Sequence, residues 1–144
     1  MNDPYNLRRF VDAQNPVFED VRAELRSGRK ESHWMWFIFP QIAGLGSSRA
    51  AHQYAISSLA EAEAYLRDSI LGLRLRECAA LVVSIEDKSA EEIFGYPDFL
   101  KFRSCMTLFS RATSDSKVFV SALEKHFGGE PDLLTLQRLA SRVQ

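Results

Sequence analysis

Apolar residues recur three, four and seven positions apart through most of this chain, the spacing of helices that each bury one face. Leu7, Phe10 and Val11 follow Asp3-Pro4, an N-cap and first-turn pair, and Phe18, Val21 and Leu25 follow Asn15-Pro16. Gly28 stands where a left-handed cap closes that second segment. Leu71, Leu75, Cys78, Val82 and Ile85 form the longest stripe, and Phe99, Phe102, Met106 and Phe109 form another. Lys117 to Phe127 is closed by Gly128-Gly129, and Asp132 caps a last segment with Leu133, Leu136, Ala140 and Val143 in register. Serines mark further starts: Ser47 or Ser48, Ser57 or Ser58, and Ser89, which with Glu92 has the form of a capping box. No stretch alternates with period two between turn residues. The pattern predicts an all-α fold, one domain over residues 1–144, of about seven to nine short helices.

One stretch breaks the rhythm. From Ser32 to Arg49 the chain reads SHWMWFIFPQIAGLGSSR, with both tryptophans and a run, Met35 to Phe39, that is apolar on every side. Such a run is buried all round, as a short helix or a short strand, and Pro40 ends it by lacking a donor and disfavouring the helical region at Phe39. At least one of Trp34 and Trp36 is expected to be roughly nine tenths buried or more. The polar trim needs another reason: Ser32, His33 and Gln41, then Gly44, Gly46, Ser47, Ser48 and Arg49.

Composition narrows the function classes. Apolar residues are 46% and charged residues 26%, as in a globular domain. Eighteen basic against nineteen acidic side chains leave a formal charge of −1, so no global field draws nucleic acid or an anionic membrane. No apolar run approaches the ~18–20 residues of a membrane span, and MNDPYNLRRF lacks a signal-peptide core, so a cytoplasmic location is expected. Cys78 and Cys105 make no disulfide framework, and no ligand spacing suggests a metal or another cofactor.

The candidate chemistry is local. Gly44-Leu45-Gly46-Ser47-Ser48-Arg49 has the ingredients of an anion-binding helix start: backbone N–H groups free to approach, a dipole and an arginine. It is neither a Walker loop nor a dinucleotide fingerprint, and a glycine turn with serine caps is also simply a turn. A second polar cluster follows Gly95-Tyr96-Pro97-Asp98, with Lys101, Arg103, Ser104 and Thr107 beside an apolar stripe; it reads as a solvated face, or as the other half of a pocket. If the two meet, Ser32, His33, Trp34, Trp36, Gln41, Gly44, Gly46, Ser47, Arg49, Lys101 and Arg103 line one site for a phosphate-bearing ligand with a flat ring. At least one of Lys101 and Arg103, with His33 or His52, should then share a concavity with the turn. Were a reaction catalysed, His33 would be the side chain suited to proton transfer near neutral pH.

The blocks LRRFVDAQNPVF, SHWMWFIFPQIAGLGSS, YAISSLAEAEAYL, LGLRLRECAALV, EIFGYPDFLKFRSCMTLF and FGGEPDLLTL resemble, in this order, the bacterial and fungal domain-of-unknown-function family 1810, sometimes mislabelled calpastatin. The resemblance implies a compact all-helical domain and no established reaction. Tyr96 stands where a small residue is expected before the proline, a departure expected to narrow a pocket. Two readings stay open: a binder of, or enzyme on, a phosphate-bearing nucleotide-like molecule, and a protein-interaction module using an exposed aromatic patch.

Overall fold

A computed structural model of the protein describes residues 2–142. Its ten helices, among the described residues, are α1 (Arg8–Gln14), α2 (Phe18–Ser27), α3 (Met35–Ile38), α4 (Arg49–Gln53), α5 (Leu59–Arg67), α6 (Leu71–Ser84), α7 (Ala90–Phe94), α8 (Asp98–Ser110), α9 (Lys117–Phe127) and α10 (Leu133–Arg142). Seven of them are seven residues or longer, and α3, α4 and α7 are short pieces of four or five residues. The only β pairing among the described residues is an isolated parallel bridge between Ile42 and Ile56.

The caps follow local chemistry. Ser48 Oγ accepts the Ala51 N–H and Ser58 Oγ the Glu61 N–H, while Ser89 and Glu92 form the reciprocal capping box. Gly28 closes α2 at φ 80°. Asp3 reaches further than expected: its two oxygens accept the N–H groups of Leu7 and Arg8, ahead of α1.

Helix α8 is the hub, packed against α5, α7, α9 and α10, while α6 packs against α9, α5 and α2. Seven of its thirteen residues are buried, Thr107 among them, so the expected solvated face does not exist there. Phe102 stacks on Phe94 at 4.8 Å and meets Phe39 edge-on at 5.0 Å, which ties the aromatic run into the core. The run is helical for a single turn and stops at Phe39. Arg9 clamps the N-terminal segment to the middle of the chain: it donates to the carbonyls of Tyr5, Asn6, Gln53 and Ala55 and pairs with buried Glu61 at 3.0 Å.

The last helix is rotated from its expected register. Thr135 and Leu139 are buried, whereas Leu133 is 68% exposed and Ala140 is exposed; Val143 lies outside the described residues. The cause is polar: Asp132, at the start of α10, is bonded to Ser104 and Thr107 of α8, and these anchors set which face turns inward.

Candidate functional site

Beside the aromatic run lies a cavity of about 480 Å³ whose wall comes from four places. Trp36 of α3 and Gln41 form one side, Leu45 to Ser48 and Ala51 a second, Pro97, Leu100, Lys101 and Ser104 a third, and Asp132 and Leu134 the last. Its size is that of a small-ligand site, mostly apolar with a few polar groups.

The glycine turn is held in place by the Ile42–Ile56 bridge, in which Ala43 N–H donates to Ile56 and Ile56 N–H to Gln41. Gly44 has φ +98°, and a β-carbon there would stand 2.9 Å from the Arg138 guanidinium, which donates to the Gly44 carbonyl. At Gly46 a β-carbon would come within 2.7 Å of Ala51 Cβ. Both glycines therefore have packing reasons, independent of any ligand.

The cation in the cavity is Lys101. Its Nζ lies 4.7 Å from the centre of the Trp36 ring and 3.3 Å from Asp98 Oδ1. Asp98 also pairs with Lys30 at 3.0 Å, and Lys30 in turn sits 5.2 Å from the Trp34 ring. The two lysines, each against one indole, share the Asp98 carboxylate. Lys101 covers one face of the Trp36 indole, and both residues line the cavity.

Of the expected site residues, Trp36, Gln41, Gly46, Ser47 and Lys101 line this cavity together, and Gly44 borders an adjoining crevice with Trp36, Gln41 and Gly46. The others lie elsewhere. Trp34 is 1% exposed, and its Nε1–H donates to Glu24, which also accepts from Ser32 Oγ and from the N–H groups of Glu31 and Ser32. Ser32 and Trp34 thus build the loop after α2. His33, His52 and Arg49 are exposed and line no part of the cavity. Arg103 turns the other way, donating to the Glu130 carbonyl at 3.0 Å with its guanidinium 5.5 Å from the Phe127 ring. The convergence of Arg49 and Arg103 on the turn is therefore not found, because α8 points residues 101 and 103 in different directions. Tyr96 is 75% exposed and does not narrow the cavity.

Sequence reasoning passed over Asp132 as a simple cap. The signal was present in the two hydroxyl residues, Ser104 and Thr107, on an otherwise apolar helix; both are bonded to Asp132. Burial pushes the Cys78 thiol up to about 12 and the Cys105 thiol well above its ordinary value, so neither supplies a thiolate near neutral pH. Among the described residues no three His, Cys, Asp or Glu side chains are grouped to hold a metal, and no helix is long and apolar enough to cross a membrane.

Residues 4–139 match the family model described as "Protein of unknown function (DUF1810)", and the chain belongs to that family. The chain is also similar to a solved structure, that of the conserved hypothetical protein Rv1873 from Mycobacterium tuberculosis. The two are 56% identical with a TM-score of 0.95, over 96% of this chain and 99% of that one. No curated protein matches the chain. Neither description states an activity.

Proposed function

We propose that this protein binds a small, phosphate-bearing, nucleotide-like molecule in the cavity beside Trp36. The observation that carries the reading is the position of Lys101, whose ammonium is held by Asp98 and the Trp36 ring at the wall of an otherwise largely apolar cavity. A charge-assisted hydrogen bond to a phosphate oxygen contributes about 1.5–3 kcal/mol there, against about 0.3–1 kcal/mol from a helix start alone. The five-residue helix after the glycine turn adds little. Leu45, Leu100 and Leu134 supply the apolar walls for a ring. No side chain is assigned a catalytic role, since exposed His33 stands outside the cavity.

The test is a thermal-shift screen against nucleoside mono-, di- and triphosphates, ADP-ribose-like compounds and inorganic phosphate. A ligand at a hundredfold excess over its Kd stabilises the native state by about 2.7 kcal/mol, a rise of several degrees. Lys101→Met keeps the alkyl stem over Trp36 and should abolish that rise. No shift with any probe, or one that survives Lys101→Met, overturns the reading. A second reading, docking of a partner protein, draws on exposed Tyr96, Leu100, Leu133 and Leu134 rather than on the tryptophans, one buried and one capped. A ligand shift that depends on Lys101 decides between them.

A further inference from the structure

We propose, building on the reading above, that Asp132 reads the ligand: the cavity takes a molecule with a hydrogen-bond donor near its anionic group, as the sugar hydroxyls of a nucleoside monophosphate provide. An N-cap aspartate needs one bond, and Asp132 has it, with Oδ2 accepting the Thr135 N–H at 3.1 Å. The same oxygen also accepts from Thr135 Oγ1 at 2.5 Å and from Ser104 Oγ at 3.0 Å, while the Asp132 N–H donates to Thr107 Oγ1 at 2.8 Å. Ser104, Thr107 and Thr135 are 5%, 0% and 0% exposed, and they are three of the five buried polar residues among the described ones. Most of the buried polar chemistry in this core is thus spent on holding one carboxylate by its backbone and by one oxygen.

Its other oxygen, Oδ1, has no hydrogen-bond partner among the described residues, and Asp132 lines the cavity. A carboxylate fixed through one oxygen and open at the other is a positioned acceptor. Ser104, which bonds Asp132, lies about one helical turn beyond Lys101, so the wall that carries Asp132 adjoins the wall that carries Lys101. That pairing favours a dipolar ligand. A chain of phosphates would set negative charge against Asp132, whereas a hydroxyl would donate to it.

Isothermal calorimetry with AMP, 2′,3′-dideoxy-AMP and ATP, on the wild type, Asp132→Asn and Lys101→Met, tests this. Asparagine retains the cap and the acceptor at Oδ2 but replaces the open acceptor by an N–H₂ donor. AMP should bind the wild type more tightly than ATP, and Asp132→Asn should weaken AMP by about tenfold or more, the loss of a hydrogen bond to a charged group. The dideoxy compound should bind the wild type about as weakly as AMP binds Asp132→Asn and be indifferent to that substitution. The comparison of AMP with its dideoxy analogue on the wild type needs no variant to fold. Equal binding of the two, or AMP affinity unchanged in Asp132→Asn while Lys101→Met loses it, overturns the role of Asp132 and leaves the cavity reading standing. Absence of AMP binding to the wild type overturns the monophosphate assignment; the wider screen then decides the cavity reading separately.

Discussion

At the scale of single residues, Trp34 and Glu24 show how a polar contact places a large apolar side chain. The indole packs 6.2 Å from Phe39 and is 1% exposed, yet its N–H has a partner because Glu24 lies at the edge of the core. Trp34→Ala removes both the packing and the bond, and a loss of about 3–5 kcal/mol is expected, read from urea unfolding of the two proteins. An unchanged midpoint would mean that the aromatic run is peripheral. Trp36, two residues on, is half-buried and belongs to the cavity instead. Adjacent sequence, similar chemistry and different jobs follow from a single turn of helix, which directs the two indoles apart.

At the scale of elements, the glycine turn and the short helix after it act as one wall. Gly46 packs so closely on Ala51 that a methyl group would stand 2.7 Å from the Ala51 methyl. Gly46→Ala should therefore push the turn off α4, costing about 1–3 kcal/mol as other overpacked sites do, and should weaken any ligand that binds beside Trp36. Adding Ala51→Gly should restore much of both. A Gly46→Ala protein with unaltered melting temperature and affinity would show that the turn yields freely. Helix α10 teaches the complementary lesson. Its Leu133 is expected from the spacing to face inward, but three hydroxyl contacts through Asp132 outrank it and leave it exposed.

At the scale of the whole molecule, acid sensitivity follows from carboxylates held by hydrogen bonds. Burial pushes the Glu24 carboxyl upward, but donors from Ser32, Glu31 and Trp34 together outweigh it and hold it below its ordinary 4.5. A lowered folded value means that this stabilisation is fully present above pH 4.5 and is lost as pH falls through the lower folded value. Asp3 is held below its ordinary 3.8 by the N–H groups of Leu7 and Arg8 and adds in the same direction at still lower pH. Glu24→Gln should be less stable than the wild type at neutral pH, and the gap should close as the pH falls below 4.5 and through the lower folded value, measured by unfolding midpoints across pH. A constant gap would mean that the carboxylate charge contributes nothing.

What the sequence determined by itself was most of what neighbours a few positions apart govern, although α1 and α2 start at Arg8 and Phe18 rather than directly after Asp3 and Asn15. Helical periodicity, the Ser89 cap, the caps narrowed to Ser47 or Ser48 and to Ser57 or Ser58, the left-handed Gly28 and the stop at Phe39-Pro40 depend on contacts within one or two turns, so they could be read from order alone. The family blocks carried the same information for the whole chain. Which residues meet across the fold was decided only in three dimensions. Trp36, Gln41, Gly46, Ser47 and Lys101 do come together, but Arg49 and Arg103 do not, since a difference of two positions on α8 turns residue 103 toward Glu130 and residue 101 toward Trp36. Asp132 entered the site from the other end of the chain, through bonds to Ser104 and Thr107 that span 28 and 25 residues. Spacing along a chain reports one helix at a time; the rotation of one helix against another is set by which polar and apolar partners fit at their contact, and that is a property of the packed molecule.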